Sequence, residues 1–164
     1  MTNVRLGESY VQRARGRLGF LRQMQAAGLH ADVVRESQEI VELALKGLAR
    51  LAGLDVPKQH DIGKLLAKER DRLPPSVAAE LAEIRKISKR LRRERELAFY
   101  GDEDFVPSEE YDEEDSHHAI EQAEKVVGLV EAGVRELRER PPAGPAGRSA
   151  LEPDEEDGSG NDRG

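Results

Sequence analysis

Between Asp32 and Leu51 the apolar positions fall on one helical stripe, Val33, Ser37, Ile40, Ala44, Leu48 and Leu51, and Val34, Val41 and Leu45 widen it to a second flank. Residues three and four apart stack on the same face of an α-helix, so a stripe this broad is more than one partner helix can cover. The segment is expected at the centre of a bundle, with helices on both flanks. Its polar residues Gln38, Glu42 and Lys46 follow one another at four-residue intervals. Glu42 precedes Lys46 in the order that favours an i, i+4 ion pair, so this line reads as an exposed ladder, with a binding role as the alternative.

A second stripe runs through Leu81, Ile84, Ser88, Leu91, Arg95 and Ala98 on a helix that should end at Gly101. Arg95 does not belong on such a face. Its guanidinium carries five donors and cannot be deprotonated, so it requires a carboxylate, a phosphate or a water-filled cleft beside it, or else it snorkels to solvent. The remaining elements can be read in order. A first helix starts at the N-cap Ser9 and carries Tyr10, Ala14, Leu18, Leu21 and Met24 inward as far as Gly28. After the stop at Gly53 and the extended Val56-Pro57, a short helix opens at His60-Asp61 and runs through Ile62, Leu65 and Leu66. Ser76 caps the helix that carries Arg95, and a last helix follows the series Ala119, Ala123, Val126, Val127, Val130, Val134 and Leu137. The fold class is therefore all-α: an up-and-down helical bundle of four long helices plus one short helix over residues 1–139. The Pro, Gly, Ser and acid-rich tail, 140–164, lacks the apolar area to offset the entropy of ordering and is expected to be disordered.

Composition excludes several classes. Cysteine is absent, so there is no disulfide framework and no thiolate metal site. No apolar run approaches the ~20 residues that span a bilayer, and the N-terminus lacks a signal-peptide pattern; the expected location is cytoplasmic, with no membrane partner. A net charge of −7 argues against coating nucleic acid by bulk electrostatics but leaves room for a local basic patch. An EF-hand loop from Asp102 would put Val106 and Pro107 where a ligand and the turn glycine belong. The adjacent His117 and His118 point ~100° apart on a helix and do not make a zinc pair. No phosphate-binding glycine loop is present, and neither a metal nor an organic cofactor is expected.

Arg85, Lys86, Lys89, Arg90, Arg92, Arg93 and Arg95 place seven cations within eleven positions. They could contact the phosphates of an RNA strand, with Phe99 or Tyr100 as a stacking face. The acidic connection from Asp102 to Asp115 could equally fold back and neutralise them. His60 is either an acid-base group or a residue that fixes the turn.

Three fragments carry a family resemblance: Ser37-Gln38-x3-Glu42-x3-Lys46, Pro57-Lys58-x-His60-Asp61, and Arg93-Glu94-Arg95-Glu96-x3-Tyr100-Gly101-Asp102-Glu103. In this order, with helices between them, they resemble the HEPN (higher eukaryotes and prokaryotes nucleotide-binding) family from about Ser9 to Leu137. The resemblance implies an up-and-down bundle, a homodimer, and often a minimal nucleotidyltransferase partner within a toxin-antitoxin pair. It also implies a metal-independent ribonuclease where an arginine is followed four to six positions later by histidine. Here Arg95 matches the arginine, but Tyr100 occupies the histidine's place.

Three functions follow as expectations. The first is a dimeric HEPN protein that binds a nucleotide, RNA or the nucleotidyltransferase through a cleft at Arg95 and Tyr100, with Arg92, Arg93 and Lys46 as further binding residues. The second is a ribonuclease toxin with Arg95 and Tyr100 as the catalytic pair, although a phenol of pKa ~10 is a poor base. The third is a structural helical module whose opposite charges hold a dimer together.

Overall fold

A computed structural model describes residues 4–56, 61–100 and 106–140, with Phe99 and Tyr100 in backbone only. His60, the Gly101 stop, the acids at 102–104 and the tail after Arg140 lie outside the described residues. Four long helices form the bundle: α1 (Val4–Leu18), α3 (His30–Leu51), α6 (Leu81–Tyr100) and α8 (Glu113–Glu139). Between them lie the short helices α2 (Leu21–Ala26), α4 (Ile62–Lys68), α5 (Pro75–Ala79) and α7 (Pro107–Glu110), and a 3-10 turn at Arg70–Arg72. No strand occurs among the described residues.

The broad stripe of α3 does what its width requires. Val33, Ile40, Ala44, Leu45 and Leu48 are inaccessible to solvent, and the helix packs against α1, α6 and α8 at once. Each such Leu or Ile contributes about 1.5–3 kcal/mol by leaving water. Leu81, Ile84, Ser88 and Leu91 bury one face of α6, with Ile87 widening it, and Ala119, Ile120, Ala123, Val126, Val127 and Val130 bury one face of α8. Two helix ends use glycine in the left-handed region. Gly28 (φ 76°) and Gly53 (φ 78°) allow the amides of Leu29 and Leu54 to reach the carbonyls of Met24 and Ala49.

Three local expectations are corrected. The first helix begins by Val4, not at Ser9, because its early turns cross α3 closely: a Cβ on Gly47 would lie 2.9 Å from the Gly7 carbonyl oxygen. That helix also does not run unbroken to Gly28; it tightens at Gly19-Phe20, where the Phe20 amide bonds the Arg17 carbonyl at 3.0 Å, and restarts as α2. Ser76 does not cap the Arg95 helix. It sits inside α5, and its own amide donates to Glu136 of α8 at 3.3 Å, so a carboxylate from a distant helix satisfies this end.

The acidic connection has structure in its second half. Tyr111 is buried and donates its hydroxyl to Glu94, while Asp112 and Asp115 form a capping box that starts α8. Backbone bonding at Asp115, foremost, holds the Asp112 carboxyl below its usual range. Among the described residues no acid of this connection forms an ion pair with the basic run of α6.

Candidate functional site

The second half of α6 brings Arg95 against the polar line of α3. On α3, Glu39, Glu42, Leu43 and Lys46 are three and four residues apart and share one face. With Arg17 from α1 and Arg95 from α6 they line a solvent-open pocket of about 250 Å³. Arg95 Nη2 lies 3.5 Å from Glu39 Oε1, and Arg17 Nη2 lies 3.0 Å from Glu39 Oε2, so one carboxylate stands between two guanidinium groups. Arg17 also bonds Glu36 through Nε at 2.6 Å, and that bond above all raises its pKa further.

Glu42 bonds Lys46 Nζ at 2.6 Å and accepts from Gln38 Nε2 at 2.8 Å. Burial favours the neutral acid, but the hydrogen bonds from Lys46 and Gln38, with the charges of Lys46 and Arg92, outweigh it and lower the Glu42 pKa. The ladder is therefore present, yet it is not exposed as expected: Gln38 is only 3% accessible. The wide apolar arc of α3 carries α6 over this line as well.

Arg95 is half-exposed, but its Nε is buried and has no hydrogen-bond partner among the described residues. Gln38 Oε1 and Ser37 Oγ, both buried, are in the same condition. Idle buried donors and acceptors of this kind mark places where a ligand or water completes the hydrogen bonding.

The proposed binding residues separate in space. Arg95 and Lys46 share the pocket. Arg92 turns to the next face and grips Asp61 at the start of α4, at 3.1 and 3.4 Å. Asp61 also caps α4 through the Gly63 amide at 2.9 Å. Burial opposes its ionisation, but the charge and hydrogen bond of Arg92 and the amides of Gly63 and Lys64 together hold its pKa low. Arg93 is exposed and does not line the pocket. Tyr100 is the last residue of α6, and its side chain lies outside the described residues.

Sequence reading missed Arg17 and Glu39, because nothing local to either signals that α1 crosses α3 at that height. Among the described residues no histidine lines the Arg95 pocket. His30 bonds Ser116, His117 pairs with Glu121, and His118 contacts Arg90. Nor do the described residues gather three or more metal-ligating side chains. No described helix is long and apolar enough to cross a membrane.

The fold and this pocket can be set beside known proteins. No curated protein is matched. A search of solved structures finds the crystal structure of an archaeal HEPN homologue, with 25% sequence identity and a TM-score of 0.61, covering 82% of this chain and 99% of that one. The model of the HEPN domain matches residues 8–133, which hold all of α3 and α6, most of α1 and α8, and the Arg95 pocket between them. The chain belongs to the HEPN domain family.

Proposed function

We propose that this HEPN protein works as a homodimer that binds the phosphate of a nucleotide at the Arg95 pocket, with Lys46 as second cation and Tyr100 further along the same helix. The observation that carries the reading is the condition of Arg95. Its Nε is an idle buried donor, and its only described ion pair is the long contact to Glu39. Glu39 is shared with Arg17, so a phosphate could take over Arg95 while Glu39 stays bonded to Arg17. The pocket then offers three cations against two carboxylates. Guanidinium favours phosphate because its planar fork donates two parallel bonds.

Membership of the HEPN family supports dimerisation and a nucleotidyltransferase as the protein partner, within a toxin-antitoxin pair. Isothermal titration with ATP and AMP tests the pocket. A charge-assisted hydrogen bond contributes about 1.5–3 kcal/mol, so Arg95→Ala is expected to weaken binding by about tenfold or more. Silence in the wild type, or equal binding in the variant, would overturn the reading. Sedimentation at micromolar concentration checks the dimer, and co-elution with a co-expressed minimal nucleotidyltransferase checks the partner.

A further inference from the structure

A groove of about 570 Å³ between α4 and α6 is lined by Lys64, Arg85, Lys86 and Lys89. All four are exposed, and among the described residues none has a carboxylate within 4.0 Å. The one carboxylate of the lining, Asp61, is held by Arg92 at 3.1 Å. In a chain with 33 acids and 26 bases, four unneutralised cations on one groove stand against the sign of the whole molecule.

The run of the helices decides which acids can meet them. Helices α6 and α8 are antiparallel: Tyr111, just before α8, bonds Glu94 in the second half of α6, and Lys125 lies 3.9 Å from Glu83 in its first turn. Glu136, near the end of α8, accepts from the Ser76 amide in α5, immediately before α6. The acids around Tyr111 therefore sit at the Glu94 end of the bundle, and they leave the groove at Arg85 untouched. The end of α8 lies at the groove's own end.

Beyond Arg140 the sequence runs eleven residues to Glu152 and then carries five carboxylates in six positions, Glu152, Asp154, Glu155, Glu156 and Asp157, with no base among them. At ~3.3 Å per extended residue, Glu152 can lie up to about 40 Å from Arg140, and the later acids further. The way from Arg140 back past Ser76 and round α6 to Arg85 is about 30 Å, at ~1.5 Å of rise per helical residue and ~10 Å for a helix diameter. The acidic cluster is thus within reach of the groove of its own chain, and its charge is opposite and of matching number.

We infer that the acidic cluster from Glu152 to Asp157 docks in the groove of Lys64, Arg85, Lys86 and Lys89 within the same chain. Exposed ion pairs are weak one by one, but a tethered segment meets its groove at an effective concentration of the order of millimolar, so several pairs form together. Pairing of side-chain charges also needs no folded segment, which suits a stretch this poor in apolar residues. Nothing in the docking depends on the Arg95 pocket.

Carbodiimide cross-linking of the full chain joins a carboxylate directly to a neighbouring amine, and mass spectrometry of the peptides reads the pairs. At low salt, cross-links from residues 152–157 should concentrate on Lys64, Lys86 and Lys89, with the exposed Lys125 as control. They should be lost in 1 M salt, where the screening length falls to about 3 Å. Lys86→Ala with Lys89→Ala changes two exposed helical positions and should also weaken the links that remain at Lys64. In an equal mixture of ¹⁴N and ¹⁵N chains, each link should join two peptides of the same label. Links between differently labelled chains, links as frequent at Lys125 as in the groove, or none from residues 152–157 would each overturn the docking.

Discussion

Tyr111 donates its hydroxyl to the Glu94 carboxylate at 3.0 Å, and this bond pins the connection between α6 and α8 to the face of α6. The ring is buried, and burial, reinforced by Glu94, pushes the phenol pKa above its ordinary range. Tyr111→Phe keeps the packing and deletes a hydrogen bond to a charged acceptor. It should lower stability by about 1–2 kcal/mol, read as a shifted urea midpoint with unchanged slope. The change should shrink but not vanish when Glu94 is already alanine, because the hydroxyl loses the carboxylate yet keeps its 3.2 Å bond to the Glu94 backbone carbonyl.

Two helical glycines predict opposite outcomes for one substitution. A Cβ on Gly128 of α8 meets nothing within 4 Å, so Gly128→Ala should raise stability by about 0.5–1 kcal/mol through chain entropy alone. A Cβ on Gly47 would lie 2.7 Å from Val11 Cγ2 and 2.9 Å from the Gly7 carbonyl oxygen. Val11 can rotate aside, but the backbone of α1 can yield only by moving the helix. Gly47→Ala should therefore cost about 1–3 kcal/mol, and paired thermal melts of the two variants check the sign of each.

Asp61 separates a cap from an ion pair. Asn caps a helix about as well as Asp, so Asp61→Asn removes only the attraction to Arg92, expected at about 0–1 kcal/mol on this part-exposed pair. Asp61→Ala removes the cap as well and should lose about 1 kcal/mol more at pH 7. The folded pKa of Asp61 is lowered, so the ion-pair contribution is fully present above the unfolded value of ~3.9 and is lost as pH falls through the folded value. Urea midpoints of wild type and Asp61→Asn should begin to converge as pH falls below ~3.9 and coincide only once it has passed the lowered folded value, and a gap of unchanged size at that acid end would deny the ion pair.

Glu42 titrates with the same sign. Its folded pKa lies below the ordinary ~4.3, so its bond to Lys46 persists down through that pH and breaks only as pH falls through the lowered value. Glu42→Gln should therefore cost stability at pH 7 and become indistinguishable from wild type in acid, followed by the same urea series.

How far each element could be read from the chain depended on where its partners lay. The stripe of α3 declared its central place because the apolar arc is a property of the helix itself. Asp61 declared its cap, and Gly28 and Gly53 their stops, because each acts on backbone groups a few residues away. Ser9 misled because a good cap residue was weighed without the Gly7 and Gly47 crossing, which draws the helix further toward its N-terminus. Ser76 misled for a similar reason: Glu136, 60 residues away, takes the amide that a local cap would have taken. At the site, Arg95 was visible as a charge out of place on an apolar face, and Lys46 as one end of a ladder. Arg17 and Glu39 became visible only when α1 and α3 were packed, since their meeting is a tertiary event without a local signature.

Helix α3, walled in by α1, α6 and α8, has no route to open alone: to expose any of its central turns, a neighbouring helix must first leave. Amide protons around Ile40 to Leu48 should thus exchange with deuterated solvent only through global unfolding, while those of the four-residue α7 escape by local fraying. The carboxylates and lysine of the candidate pocket are anchored on that same slow helix. A ligand arriving there meets charges already held in place, and the motion needed to admit it falls to the arginines of α1 and α6.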